Sequence, residues 1–407
     1  MAPALGLLRQ GGLRWYLLAR LFGTLAVQMQ TVAVGWQVYE ATHDPLDLGL
    51  IGLSQFLPFI LFVLPAGHLA DHGERRRIVA GCFALQAVGA LLMLAYTRAG
   101  VPQVWPVFAI MSLFGLARAF LMPAAQALLP NVVAPEQLGH AMPLSSSANQ
   151  VARIAGPALG GLLYFAGAEA VYAAVALLLA AAFGLILAAR VVSSAPRARV
   201  PLSWANLLSG LAFVRSRKAV LGAISLDLFA VLFGGATALL PAYAGDILHA
   251  GPVGLGFLRT ASGVGAAICG LALALRPIQR HAGRWMFGGV AVFGFATLVF
   301  GVSTNLWLSL AALTVLGAAD MLSVFVRQML VQLSTPDAIR GRVSAVNSVF
   351  IGASNEVGEF ESGVTAAWWG VVPAVVVGGA ATILVAWAWT RLFPALWKTD
   401  RFPEPER

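Results

Sequence analysis

Two apolar runs, Leu48–Leu64 and Ile78–Tyr96, flank a stretch that cannot share their surroundings: Gly67-His68-Leu69-Ala70-Asp71-His72-Gly73-Glu74-Arg75-Arg76-Arg77. Five ionised groups fall within seven residues there, in a chain that is only 11% charged. Such a segment cannot lie in hydrocarbon, so it reads as a water-facing turn between two membrane helices. Three adjacent arginines place that turn on the inner face. The same alternation of long apolar runs and short polar breaks continues through the chain.

An apolar helix needs about 20 residues to cross a bilayer. Twelve such spans are predicted, at 15–39, 47–67, 77–97, 104–129, 138–164, 170–190, 219–244, 253–275, 284–302, 306–333, 343–366 and 371–394. The 59% hydrophobic content supports a polytopic membrane protein, since soluble domains are nearer half apolar and about 25% charged. The first span carries Gln28 and Gln30 and no small-residue cleavage site, so it reads as a membrane helix and not as a leader. A polar, basic segment divides the spans six and six. The predicted organisation is therefore 1–190 as an N-terminal six-helix bundle, 191–218 as a cytoplasmic linker, and 219–407 as a C-terminal bundle with its tail.

With the N-terminus inside, twenty of the 26 arginines and lysines fall on the inner side, Arg98 alone on the outer, and five within spans. So strong a bias supports the span count and puts both termini in the cytoplasm. The net charge of +9 thus belongs to membrane topology; nucleic acid is not expected as a partner. Cys82 and Cys269 lie in apolar spans as small buried hydrophobes. None of the six histidines is mid-span, and no metal-ligand spacing, nucleophile–base pair or phosphate loop is visible. Neither an enzyme nor a cofactor-bearing protein is expected.

The halves repeat each other. Gly115-Leu-Ala-Arg118 through Gln126 aligns with Gly317-Ala-Ala-Asp320 through Gln328, and Pro135-Glu136-Gln137-Leu138 aligns with Pro336-Asp337-Ala338-Ile339. Two duplicated bundles imply an all-α transporter plan with an axis along the membrane normal.

Charges inside spans carry the functional argument. Arg118, Arg153, Asp227, Arg259, Asp320, Arg327, Glu356 and Glu359 would together cost about 20–28 kcal/mol if they faced lipid, so each must face protein or water. Asp320 and Arg327 are about 10 Å apart along one helix and need partners elsewhere. Asn355, Glu356 and Glu359 are predicted to form one polar patch. Two carboxylates at i,i+3 in a low-dielectric site cannot both ionise easily, which suits a proton carrier. The proton-coupling candidates are Glu356 and Glu359 first, Asp320 next, and Asp227, for which pairing with an arginine is the alternative. The substrate-cavity candidates are Arg118, Arg153, Asn149, Arg327 and Asn355. Arg118 is matched by Asp320, and Arg153 lies within two or three residues of the position matching Glu356. The expectation is a cavity with a basic and an acidic wall, weighed against ion pairs that only hold the bundles together. Trp36, Phe229 and Phe233 could line that cavity, although core or lipid-facing packing is the better reading for each.

Gly67, Leu69, Ala70, Asp71, Gly73, Arg75 and Arg76 or Arg77 resemble the signature loop between helices 2 and 3 of the major facilitator superfamily. The resemblance implies a twelve-helix fold of two pseudo-symmetric bundles, and a conformational latch at Gly67, Asp71, Gly73, Arg75, Arg76 and Arg77. Gly156-Pro157-Ala158-Leu159-Gly160-Gly161 is a small-xxx-small face with a possible bend at its proline. It is similar to the G-P-x-x-G-G signature of antiporters that export drugs. Arg118 through Pro130 and Ser354 through Gly363 resemble the branch that includes enterobactin exporters and macrolide efflux proteins. The loop Arg276–Arg284 lacks the aspartate of a second signature copy, and Arg118 lacks the glycines of the usual drug-antiporter motif. What the resemblance implies is a monomeric, proton-coupled exporter of a siderophore-like or amphiphilic small molecule in the bacterial inner membrane. A broad-specificity multidrug or macrolide pump is the alternative within transport. An uncoupled lipid flippase or a transporter-derived receptor is the alternative of another class.

Overall fold

The computed structural model describes residues 11–191 and 204–402. Those residues form twelve long helices, here α1 to α12. The first six are α1 (Gly11–Thr42), α2 (Pro45–His72), α3 (Arg75–Ala99), α4 (Trp105–Leu128), α5 (Leu138–Leu163) and α6 (Ala168–Ala188). The second six are α7 (Lys218–Phe233), α8 (Gly251–Leu275), α9 (Ala282–Val302), α10 (Leu306–Leu333), α11 (Asp337–Trp369) and α12 (Val371–Leu392). The fold is all-α and membrane-spanning. Ten helices are apolar and long enough to cross a bilayer by composition. The two that fall short, α5 and α11, are repeat partners; α5 carries Asn149 and Arg153, and α11 carries Asn355, Glu356 and Glu359.

Helix ends follow local chemistry. Asn305 caps α10, its Oδ1 accepting the Trp307 and Leu308 backbone N–H groups at 2.9 and 3.2 Å. Gly167 and Gly370, at φ +97° and +90°, make the same left-handed corner before α6 and α12. Exposed Trp105, Trp307, Trp368 and Trp369 stand at helix ends, as membrane-interface aromatics do.

Three predicted boundaries differ. Helix α2 runs on to His72, past span 47–67, so that the first half of the charged stretch is helical. Span 219–244 ends as an α-helix at Phe233 and continues as a 3-10 turn, a helical turn and a π-turn to Ile247. Gly234 and Gly235 cause the break, because Gly235 lies against the Gly358 carbonyl and Ser362 of α11. Helix α11 also extends well beyond span 343–366 at both ends. Of the predicted linker, 192–203 lies outside the described residues. Trp204–Ser216 is a helix whose Gly210 packs on the Arg342 carbonyl of α11.

The chain separates into two compact units. The first comprises 1–42, 54–201 and 252–260, and the second 43–53, 202–251 and 261–407. Each is interleaved in sequence, since the start of α2 clusters with the second unit and the start of α8 with the first. Within the first unit, α1 packs on α5 and α6, and α3 on α4 and α6. Within the second, α9 packs on α10 and α12, and α7 on α11 and α12. Phe229 and Phe233 belong to this second core, with Phe229 5.2 Å from Trp389 between ring centroids. Their role is packing.

Candidate functional site

Small residues set every helix crossing that matters here. In the first unit, a Cβ on Gly161 would lie 2.6 Å from the Pro252 carbonyl oxygen and 3.0 Å from the Gly256 Cα of α8. Gly160 packs on the Met29 backbone of α1, and Gly156 on Gln28 and Leu25. The Gly156-Pro157-x-x-Gly160-Gly161 motif is thus a three-helix junction; the Pro157 carbonyl, 2.6 Å from a Cβ on Gly256, closes it. Van der Waals contact of this kind is the main attraction between helices in lipid.

The second unit repeats the junction. A Cβ on Gly363 would lie 2.9 Å from the Gly49 Cα and 3.0 Å from the Pro45 carbonyl oxygen of α2, and Gly358 packs on Val231 and Leu232. Gly358, Ser362 and Gly363 therefore occupy the places of Gly156, Gly160 and Gly161. Gly115 on Gln55 has the same counterpart in Gly317 on Ser262, with 2.7 and 2.6 Å from a Cβ to the facing carbonyl carbon.

This register places Asn355, not Glu356, opposite Arg153. Arg153 itself is exposed on α5. Asn355 is exposed too, its Nδ2 donating to the Ile351 carbonyl one turn back at 2.9 Å. The polar patch predicted on α11 is narrower than expected, because Asn355 turns away from the two glutamates.

Glu356 is buried and Glu359 half-buried. Both carboxylates converge on Gly52 of α2: a Cβ there would lie 3.0 Å from Glu359 Oε2 and 3.6 Å from Glu356 Oε2. The Gly49–Gly363 crossing, one turn away, brings the helices close enough for this. Gly52 has no side chain to wedge between them.

The other acids sit deeper in the second unit. Asp227 Oδ1 accepts from Arg327 Nη2 at 3.1 Å, with both side chains at most 9% exposed. Arg327 Nη1 also donates to Asn347 Oδ1 at 3.0 Å, so this one guanidinium ties α7, α10 and α11 together. Arg327 is a structural node through its two terminal nitrogens, and Asp227 is its counter-ion. Asp320, two turns from Arg327, lines a small cavity of about 10 Å³ with Asp227, Ser323, Val290 and Phe293. That volume is close to what one water needs.

In the first unit, Arg118 is half-buried over the Phe59 ring, 5.0 Å from its centroid. Desolvated cation–π contacts of this kind are worth up to about 2 kcal/mol. Asn149 is held by Thr24, whose Oγ1 donates to its Oδ1 at 2.8 Å.

The charged turn is stapled within its own unit. Arg75 donates to the Ala70 and Ala127 carbonyls and to Asn131 Oδ1, at 3.2, 3.4 and 3.2 Å. Arg76 donates to the Leu187 and Ala189 carbonyls at the end of α6, at 3.3 and 3.4 Å. Cations at helix C-termini are favoured by the helix dipole. Arg77 is exposed and pairs with Glu74 at 2.6 Å. Gly67 is buried and Gly73 closes the turn, its N–H donating to Leu69 at 2.7 Å. The side chain of Asp71 lies outside the described residues.

Residues that the sequence reading did not single out are Gly49, Gly52, Gly256, Gly358, Phe59, Thr24 and Asn347. Only the glycines carried a signal: the five-residue spacing of Gly358 and Gly363 mirrors that of Gly156 and Gly161.

Twelve helices in two internally repeated bundles, with polar α5 and α11, define a transporter of the major facilitator superfamily. A family model described as transmembrane secretion effector matches residues 2–405, and the chain belongs to that family. It is 25% identical over 254 residues to macrolide efflux protein A of Streptococcus pyogenes, a match covering 60% of this chain and 61% of that protein. It is 23% identical over 339 residues to enterobactin exporter EntS of Shigella boydii, covering 81% and 79%. Among solved structures, nucleoside transporter NupG superposes with a TM-score of 0.74 at 14% identity, covering 95% of this chain and 99% of that one. That likeness concerns the fold.

Proposed function

We propose that the chain is a secondary exporter of a siderophore-like or amphiphilic small molecule, driven by proton entry through alternating access. It would act as a monomer in the bacterial inner membrane with both termini cytoplasmic. The observation that carries the coupling is the convergence of Glu356 and Glu359 on side-chain-free Gly52, at a helix crossing of the second unit. Acids inside a membrane helix mark ion and proton pathways, and a moving crossing changes the surroundings of this pair. Asp320 is the second proton site, beside the small cavity that it lines with Asp227 and Ser323. Arg118 is the substrate-contact candidate of the first unit, with Asn149 near the same bundle interior and Arg153 available on an open face. In this reading the Gly67–Arg77 turn acts as a latch by holding the α4 and α6 termini through Arg75 and Arg76. Export is inferred from two similar proteins, a macrolide efflux protein and an enterobactin exporter.

The test is proton movement in proteoliposomes under an imposed pH gradient, on adding a catecholate siderophore, a macrolide or a cationic dye. Substrate-dependent proton flux supports antiport, and the effective compound names the substrate class. Flux with all three compounds favours a multidrug pump. Transport with no proton movement moves an uncoupled flippase ahead, and binding without flux a receptor.

A further inference from the structure

A second polar site lies outside the transport machinery, where the chain's last described segment folds back on α9. After α12, a short helical turn (Pro394–Trp397) leads into Lys398-Thr399-Asp400, which seals the start of α9. The Gly283 and Ala282 N–H groups donate to the Thr399 and Asp400 carbonyls at 2.9 and 3.2 Å. The helix's first amide donors are therefore already used. Gly283 permits the approach, since a Cβ there would meet the Leu396 and Trp397 carbonyl oxygens. Asp400 fastens the clasp: its carboxylate accepts the His281 backbone N–H at 3.1 Å, faces His281 Nδ1 at 2.9 Å and pairs with Arg280 at 3.4 Å.

The clasp leaves a cavity of about 180 Å³ lined by His281, Arg284, Trp397, Lys398, Thr399 and Asp400. Asp400 is its only acid and is already committed to Arg280 and His281. Arg284 and Lys398 are exposed, and among the described residues neither meets a carboxylate. Arg284 and Lys398 thus face a pocket with a Trp397 wall. The helix ends that lead into these segments carry exposed apolar side chains: Leu275 of α8, Trp285 of α9 and Leu392 of α12 are 74%, 50% and 65% exposed. In a membrane protein, such surfaces at helix ends meet acyl chains and the interface.

We propose that this pocket binds the headgroup of an anionic glycerophospholipid, with Arg284 and Lys398 taking the phosphate and Trp397 covering its glycerol ester. Basic pockets beside helix ends recognise headgroups by this chemistry, and the exposed apolar helix ends favour a lipid over a soluble anion. The inference does not depend on what is transported.

The test uses the purified full chain in neutral-lipid nanodiscs titrated with phosphatidylglycerol, reading lipid retention by native mass spectrometry and thermal stability. Wild type retains the anionic lipid saturably and gains stability. At about 1 kcal/mol per cation near a charged surface, Arg284→Gln with Lys398→Gln weakens apparent affinity about 10- to 30-fold. Arg215→Gln with Arg217→Gln, at the end of the linker helix and just before α7, removes equal charge elsewhere and leaves affinity unchanged. Equal losses in both double variants would overturn the site in favour of diffuse attraction. Equal retention in wild type and the Arg284/Lys398 variant would overturn it outright. Stabilisation by glycerol 3-phosphate matching that by the lipid would show a soluble-anion site and contradict the lipid assignment.

Discussion

The α5 junction of the first unit and the α11 junction of the second share a backbone but not a chemistry. Gly161 meets Pro252 and Gly256 as Gly363 meets Pro45 and Gly49, with nearly the same distances. Around the first junction lie hydroxyls, Asn149 and an open-faced Arg153. Around the second, Glu356 and Glu359 are turned inward onto Gly52. The repeat also sets Ala125 against Arg327, so the buried ion pair with Asp227 belongs to one unit alone. Duplication has preserved the places where helices touch, and divergence has put the in-span acids in the second half. Packing is held in common because a glycine crossing tolerates no added atom, whereas a side chain beside it can change charge without moving the backbone.

The largest expected effect breaks the difference between the units. Asp227→Ala strands a buried guanidinium and should cost about 3–5 kcal/mol, seen as lost expression or a sharply lowered Tm in detergent. Asp227→Leu combined with Arg327→Leu should recover much of that loss. If the double variant is no better than the single one, the pair is not the node described.

Breaking the similarity comes next. Gly161→Val and Gly363→Val should each destabilise by about 1–3 kcal/mol or more, to a similar extent, because both push against facing backbone. Thermal unfolding of the two variants side by side checks this; a silent variant at either position would deny the equivalence of the junctions.

A gentler change sharpens the contrast. Gly52→Ala crowds the end of a flexible Glu359 side chain and not a backbone, so its stability cost should stay below that of Gly363→Val. Its effect should appear as a shifted pH dependence of transport, measured in proteoliposomes. An unaltered pH profile would separate Gly52 from the glutamates' function.

The smallest effect concerns the tail. Slight desolvation pushes the Asp400 carboxyl up, but the His281 N–H and the Arg280 and His281 side chains outweigh it and hold the group below the usual carboxylate range. A lowered folded value means that the clasp contributes above the ordinary aspartate pKa of about 3.9 and is lost as pH falls through the lowered value. Trp397 fluorescence should therefore show a transition below about pH 4, and Asp400→Asn should abolish that low-pH transition.

Much of this was legible in the chain. Twelve apolar runs with their arginine bias sufficed for the fold, and i,i+3 spacing sufficed to pair Glu356 with Glu359. The break after Phe233 was not legible, because Gly234 and Gly235 sit in an unbroken apolar run and only the facing α11 backbone gives them meaning. Partners across helices were also hidden. That Arg327 needed an acid on another helix followed from its burial cost, but choosing Asp227 over Glu356 or Glu359 depends on helix rotation. Rotation is set by glycine contacts that spacing alone does not rank. Asn355 misled for the same reason: one residue from Glu356 is about 100° around the helix, enough to leave the patch.

The most direct measurement of the central claim compares two transport modes in proteoliposomes for wild type, Glu359→Gln and Arg153→Gln. One mode is uptake driven by a pH gradient, and the other is substrate counterflow with no gradient. Glu359→Gln is predicted to lose gradient-driven transport while keeping counterflow, with Arg153→Gln retaining the gradient response. Loss of both modes in Glu359→Gln, or a gradient response equal to wild type, would contradict the placement of proton coupling at the α11 junction.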